Sequence, residues 1–235
     1  MMDTLRNTVR TYPILDNHAH NLLLLEQNKT YPFLSITTEA HGEALKDTPR
    51  SLPHIRAARQ LRELYACDST NWDAISSQHV QALEDDQDAL IKKCFDGVHS
   101  ILIDDGLDKD TVHPTVWHAQ YVPGVVRRIV RIEAVAEDIM RTEIAPAYKL
   151  ASSANNSSGS VSFDEVERLW TDFYHSFESS LDEAIADPNV AGFKSVVCYR
   201  TGLAILPAKE GTATEPPPED VVLEYLESAD RKSVV

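Results

Sequence analysis

The sequence predicts an α/β fold in which parallel strands alternate with helices. Four short apolar or β-branched segments occur along the chain, at about residues 12–16, 97–103, 125–132 and 190–200. Segments with helical periodicity separate them, and polar residues follow the strand patterns. Because parallel strands need long crossover connections, this order is typical of a parallel sheet that is either open or closed into a barrel. In such folds, functional residues are expected at the carboxyl ends of the strands.

The composition narrows the range of partners. The 235 residues include 22 Lys and Arg against 37 Asp and Glu, giving a formal charge of −15. Such an acidic chain repels phosphate backbones and anionic lipid, so we expect neither nucleic acid nor membrane as a partner. Cys67, Cys94 and Cys198 form no CxxC pair, and no apolar run approaches the ~20 residues of a membrane span. We therefore expect a cytoplasmic protein whose partners are small molecules or other proteins.

The first predicted strand, residues 12–16, delivers the polar run Asn17-His18-Ala19-His20 to its tip. A helical excursion at about 40–96 follows. Its helices are indicated by apolar residues at helical spacing, namely Ile55, Ala58, Leu61, Leu64 and Tyr65 and then Val80, Leu83, Leu90 and Phe95. We expect this excursion to form a cap or an outer layer.

The second half of the chain repeats the strand and helix pattern. The second and third predicted strands cover residues 97–103 and 125–132, and helical periodicity begins at Glu133. Ser162 and Glu165 form a capping box that opens a long helix with an apolar stripe. The stripe comprises Val166, Leu169, Trp170, Phe173, Phe177, Leu181 and Ile185. The fourth strand follows at 190–200, and residues 207–235 are predicted to be a Pro-rich linker with one short helix.

His18 and His20 are the candidate metal ligands. Two residues apart on a strand, their side chains leave the same face and can converge on one cation, with Zn–N distances of ~2.0–2.1 Å. The alternative is a loop pair that only forms hydrogen bonds. Asp16 precedes them and could either orient a ligating imidazole or cap a turn.

The fourth strand supplies the other candidates. Lys194 interrupts an apolar run, where a cation needs a partner, a lowered pKa or a modification. The alternative is that Lys194 extends to solvent near the start of the strand. Arg200, with Tyr199 beside it, could hold a substrate carboxylate, or Arg200 could be a surface residue paired with an acidic neighbour.

Other polar residues are given structural roles. Asp104 and Asp105 end the second strand and could approach a site, but Asp-Asp-Gly is first of all a turn sequence. His113 and His118 lie in a strand-to-helix connection, where packing against a helix is the expected role.

Four segments together resemble the amidohydrolase-related family. They are Ile14-Leu15-Asp16-Asn17-His18-Ala19-His20, residues 101–107, residues 128–133, and Gly192-Phe193-Lys194-Ser195 continuing to Leu203. Within that family the chain is most similar to the amidohydrolase-like half of FluG-type proteins, which is fused to a glutamine-synthetase-like domain. The resemblance implies a metal-dependent (β/α)₈ barrel, of which residues 1–206 would form the first half, with the helical excursion inserted.

The resemblance also implies the chemistry. His18 and His20 match the HxH motif of the family and would bind a divalent metal ion, with zinc expected. Lys194 falls on the strand whose lysine is carbamylated in some members, so it is the candidate catalytic residue. The implied activity is hydrolysis of an amide or other C–N bond in a small carboxylated substrate, with Arg200 and Tyr199 binding that substrate.

The chain has fewer predicted strands than the family pattern, which limits the activity that we expect. Members complete the site with residues from strands five, six and eight, and this chain has four predicted strands. We therefore expect a shortened chain with weak or absent turnover. The alternatives are decarboxylation on the same scaffold, or a non-catalytic interaction module that forms a homo-oligomer or assembles with a glutamine-synthetase-like partner domain.

Overall fold

The computed structural model describes residues 2–106, 110–154 and 161–196. Its strands are β1 (Ile14–His20), β2 (Val98–Asp104), β3 (Val126–Arg131) and β4 (Val190–Lys194). Its α-helices are α1 (Met2–Thr11), α2 (Leu25–Thr30), α3 (Leu52–Leu64), α4 (Trp72–Cys94), α5 (Ile132–Ile139), α6 (Ala145–Ala154) and α7 (Phe163–Ala186). Short 3₁₀ helices cover Phe33–Thr37, Gly42–Arg50 and Thr115–Tyr121, and Met140–Ile144 forms a π-helical turn.

The strands confirm the predicted parallel α/β architecture. The sheet order is β1-β2-β3-β4, which is the order along the chain. β3 and β4 pair in parallel, with Arg131 opposite Lys194. None of the helices in the described part of the chain is long and apolar enough to cross a membrane.

The chain divides into two compact units. The N-terminal unit contains the described residues of 1–103 and 107–127, and the C-terminal unit contains residues 104–106 and the described residues from 128 onwards. Each unit has its own apolar core. The predicted linker and helix at 207–235, and the proposed boundary before them, lie outside the described residues.

The N-terminal unit contains α3 and α4 within the range of the predicted helical excursion. Ala58 of α3 packs with Trp72 and Ile75 of α4, and Phe33 packs against this cluster. α4 begins at Trp72, earlier than the apolar pattern from Val80 predicts. The reason is a cap: the Asn71 side chain accepts hydrogen bonds from the backbone N–H groups of the first turn. A second cluster, around Ile101, Ile103 and Val122, packs β2 against the end of the Thr115–Tyr121 connection.

The C-terminal unit is organised by α7. Ser162 caps the helix by accepting a hydrogen bond from the backbone N–H of Glu165 at 3.3 Å, as the capping box predicts. Val166 and Leu169 of the predicted stripe are buried against Ile139 and Ile144, with Phe173 and Phe177 packed at the edge. The prediction is wrong for Ile185, which is 69% exposed.

Two strand boundaries differ from prediction. β1 continues through His20, so both histidines belong to the strand itself. β4 ends at Lys194, well before the predicted end at about residue 200. The Glu133 carboxylate accepts hydrogen bonds from the Ser195 hydroxyl and the Val196 backbone N–H. This side chain therefore satisfies a backbone donor that a longer strand would offer to a neighbouring strand.

Candidate functional site

Each of the four strands ends on an ionisable residue. These last residues are His20 in β1, Asp104 in β2, Arg131 in β3 and Lys194 in β4. From the sequence, His20 and Lys194 are predicted site residues, Asp104 is first of all a turn residue, and Arg131 has no predicted role. The signal that could have found Arg131 is the one that identified Lys194, a cation at the end of an apolar strand.

His18 and His20 lie close together on β1 in the N-terminal unit. Their ring centroids are 5.7 Å apart, the ring planes are inclined at 65°, and both residues are exposed. A cation ~2.0–2.1 Å from one nitrogen of each ring would place the centroids about 5 Å apart. The observed separation of the two imidazoles is close to that value.

Asp16 uses its side chain locally. Its Oδ1 accepts a hydrogen bond from the backbone N–H of His18 at 3.1 Å. Asp16 lies inside β1, so this contact binds the backbone of the strand and caps no turn there. The hydrogen bond fixes the backbone at His18.

A catalytic metal site needs more ligands than two imidazoles. Within residues 2–106, 110–154 and 161–196, no three His, Cys, Asp or Glu side chains cluster closely enough to hold a metal ion. Catalytic zinc sites generally have three protein ligands and a water. His18 and His20 thus fit a divalent ion as two of its ligands.

The chain that follows β1 is fixed by a buried histidine. His118 is 1% exposed, and its Nε2 accepts a hydrogen bond from the Leu22 backbone N–H at 3.0 Å. Its Nδ1 lies 3.3 Å and 3.2 Å from the carbonyl oxygens of Pro114 and Thr115. Because Nε2 accepts, the proton of the neutral ring belongs on Nδ1, where it is donated to these carbonyls. Burial lowers the pKa of His118 and favours this neutral form.

The predicted packing role of His113 and His118 is confirmed in part. His113 stacks on Trp117 with ring centroids 3.6 Å apart. His118 packs as expected but also binds the backbone beyond β1. Leu22 and His118 are 96 residues apart. No spacing rule in the sequence pairs positions so distant.

Asp104 is the centre of a charge cluster in the C-terminal unit. The Asp104 side chain is 2% exposed. Its carboxylate accepts hydrogen bonds from Arg131 at both oxygens, from Nη2 to Oδ2 at 2.6 Å and from Nε to Oδ1 at 3.2 Å. Lys194 Nζ lies 2.9 Å from Oδ2, and the Gly106 backbone N–H donates to Oδ1 at 3.2 Å. Burial alone would raise the pKa of Asp104, but the Arg131, Lys194 and Gly106 hydrogen bonds outweigh it and lower that pKa to about 2.

Gly106 has a packing requirement. A Cβ atom at Gly106 would lie 2.8 Å from Cβ of Arg131. Only glycine therefore allows Arg131 to lie against this residue and reach Asp104 with both guanidinium nitrogens. Asp104 is the last residue of β2, and the predicted turn would continue into residues 107–109, which lie outside the described residues.

Lys194 has the partner that its position demands. Residues 190, 192 and 194 of β4 are partly buried and residues 191 and 193 are exposed, so Lys194 is on the inward face. The ion pair with Asp104 keeps the side chain at this face, and 21% of it is exposed. Arg200 and Tyr199, the candidate substrate-binding residues, lie outside the described residues.

Comparison with known proteins gives two similarities. The chain is 37% identical over 212 residues to protein fluG of Emericella nidulans, a match that covers 89% of this chain and 24% of that protein. A crystal structure from Lactobacillus casei ATCC 334, named as a candidate metal-dependent hydrolase, has the same fold with a TM-score of 0.58 at 19% identity. That match covers 95% of this chain and 51% of the other. No family model matches the chain.

These figures show how much of each relative the chain represents. It spans about a quarter of the length of protein fluG and about half of the L. casei structure. At 19% identity the structural match establishes a shared fold.

Proposed function

We propose that the chain is part of a metal-dependent hydrolase in which His18 and His20 bind a divalent ion, with zinc as the expected ion. The observation that carries this proposal is the pair of imidazoles 5.7 Å apart at the end of β1. The L. casei protein with the same fold is named for metal-dependent hydrolysis, which supports the assignment. The likeness to protein fluG supports the same family.

The four strands are then the first half of a (β/α)₈ barrel. In support, the chain aligns with 51% of the L. casei structure while 95% of its own length is covered. In a barrel of this type the active site is formed at the carboxyl ends of the strands. Within the C-terminal unit, the strand-end residues Asp104, Arg131 and Lys194 do meet, which supports that arrangement.

The proposed reaction is hydrolysis of an amide or other C–N bond in a small carboxylated substrate. When bound, the ion supplies Lewis acidity and lowers the pKa of a coordinated water to about 7. His18 and His20 hold the ion from an exposed strand end, where substrate can reach it. Arg200 and Tyr199 are proposed to bind the substrate carboxylate through the planar guanidinium fork and the phenol.

Lys194 is proposed to act as a positioned ammonium group that contacts the substrate. Its Nζ lies 2.9 Å from Oδ2 of Asp104. A carbamate on this nitrogen would place a second negative group against that carboxylate, so we propose electrostatic binding by the amine in place of the bridging role that the family resemblance raises. Its 21% exposed side chain leaves surface through which an anionic group can approach.

Zinc titration by calorimetry tests the proposal. We expect wild-type protein to bind zinc and the variant with His18→Ala and His20→Ala to lose that binding. The matched control is His175→Ala, which removes an exposed histidine of α7 and should leave binding unchanged. Equal zinc affinity in wild type and the double variant would reject the proposal.

A non-catalytic interaction module is the second candidate. It is favoured by the absence of a third metal-binding side chain near the pair in the part of the chain that the structure describes. Such a module would form a homo-oligomer or bind a glutamine-synthetase-like domain. Its signs are a stable oligomer in analytical ultracentrifugation and an unfolding temperature that a chelator does not change. A hydrolase domain should instead unfold at a higher temperature with zinc than with chelator.

A further inference from the structure

We propose that His118 is a positioning residue for the metal pair. It fixes the backbone immediately after His20 and thereby sets the affinity of His18 and His20 for their ion. The inference rests on the proposed function for its metal, but the underlying contact is independent of any ligand.

The strand-exit segment is defined here as residues 21–24. Each of its residues makes a contact with residues 111–118. Its backbone pairs in the antiparallel direction with residues 111–113 through the Leu23–Val112 bridge. Leu24 N–H donates to the Thr111 carbonyl at 2.9 Å, and His113 N–H donates to the Leu22 carbonyl at 2.8 Å. This pairing satisfies the strand-exit backbone on one side.

Side chains complete the attachment. The Asn21 amide donates from Nδ2 to the His113 carbonyl at 2.9 Å, and Asn21 is itself 7% exposed. The Leu22 backbone N–H donates to His118 Nε2 at 3.0 Å. The His118 ring thus replaces a backbone carbonyl as the acceptor for the strand-exit segment.

The His118 ring is held rigidly, so it can fix the position of the Leu22 backbone. It is 1% exposed, its opposite nitrogen faces two carbonyls of its own 3₁₀ turn, and Trp117 packs edge-on with centroids 5.2 Å apart. His118 is thereby fixed in rotation and in tautomer. Leu22 follows His20 by two residues, so a shift of the Leu22 backbone changes the direction in which the His20 ring points. Metal chelation tolerates displacements of only about 0.5 Å.

Two substitutions distinguish the roles of the two ring nitrogens of His118. In His118→Gln the side-chain oxygen can reach the position of Nε2 and still accept from Leu22. In His118→Asn the shorter side chain reaches the position of Nδ1 and leaves the Leu22 N–H without its acceptor. We expect the Asn variant to bind zinc about 10–100-fold more weakly than wild type, as for other residues that orient ligands. The Gln variant should retain most of the affinity.

A control variant distinguishes positioning from general destabilisation. Tyr121→Phe removes the 2.6 Å hydrogen bond from the Tyr121 hydroxyl to Asp88 in the same unit without touching the strand-exit segment. It should lower the unfolding temperature while leaving zinc affinity at the wild-type value. If Tyr121→Phe weakens zinc binding as much as His118→Asn, or if the Asn variant binds like wild type, the positioning role is wrong.

A readout without metal keeps the inference testable on its own. Amide hydrogen exchange by NMR on metal-free protein should show faster exchange at Leu22 in His118→Asn, with chemical-shift changes reaching His18 and His20. Shift changes confined to residues 21–24 would overturn the inference even if zinc binds. Conversely, absence of zinc binding in wild type refutes the proposed function and leaves this comparison valid. If His118→Asn does not fold, Asn21→Ala removes the neighbouring side-chain contact and is measured in the same way.

Discussion

The Nζ atom of Lys194 lies 2.9 Å from Oδ2 of Asp104, an acid that Arg131 also binds at both oxygens. Strand ends distant in sequence thus form one cluster in the C-terminal unit. Because Asp104 is 2% exposed, its charge is stabilised by these cations and not by bulk water. The cluster is therefore both a fold determinant and the environment of the candidate catalytic lysine.

Asp104→Asn is expected to destabilise the protein strongly. The amide keeps the shape of the side chain but removes the negative charge that balances Arg131 and Lys194, and breaking a buried pair in this way costs about 3–5 kcal/mol. Urea denaturation followed by circular dichroism measures the loss. The control is Asp47→Asn, which removes an exposed ion pair with Arg50 and should change the free energy of unfolding very little. Equal effects of the two substitutions would contradict a stabilising role for the cluster.

The low pKa of Asp104 predicts a distinct acid sensitivity. The pKa is about 2 in the folded protein against an ordinary value of 3.8, so the unfolded chain binds the proton more tightly. The stabilisation is complete above pH 3.8 and is lost as the pH falls from there towards 2. The difference of 3.8 − 2 = 1.8 pH units corresponds to roughly 2 kcal/mol.

This acid sensitivity is measured from the free energy of unfolding of wild type and Asp104→Asn across that pH range. The gap between the two should narrow as the pH falls. A gap that stays constant from neutral pH to pH 2 would show that the carboxylate does not titrate in this way.

Lys194 is expected to carry no carbamate. Its Nζ lies 2.9 Å from the Asp104 carboxylate, and a carbamate there would bring two negative groups together. Carbon-13 NMR in labelled bicarbonate should therefore show no carbamate carbon on wild-type protein. Lys194→Met serves as the control spectrum, and a carbamate signal present in wild type but absent there would refute the prediction. The same variant should raise the pKa of Asp104, since it removes one of the cations that contact this carboxylate.

Local patterns in the sequence predict the elements well but not their ends. The four strands, the excursion helices and α7 with its Ser162 cap follow from periodicity and capping, which involve neighbouring residues. β4 ends early because Glu133, 63 residues before Val196, accepts the next backbone donor. No local pattern carries that information.

The candidate site is predictable to a similar extent. The HxH pair and the isolated Lys194 stand out because each is unusual within its own segment. Arg131 and His118 do not, because their partners Asp104 and Leu22 are 27 and 96 residues away. Residues with exceptional chemistry are thus recognisable in the sequence, whereas their positioning partners are brought to them only by the tertiary structure.

The apolar stripe of α7 provides a test of packing within one helix. Leu169 is 1% exposed and lies in the core with Val166 and Ile144, whereas Ile185, near the end of the same helix, is 69% exposed. Leu169→Ala leaves a cavity and should lower the free energy of unfolding by about 2–5 kcal/mol. Ile185→Ala removes a residue of similar size from the surface and should have a much smaller effect. Urea denaturation of the two variants makes the comparison, and similar losses would show that the stripe is buried along its whole length, as the sequence alone predicts.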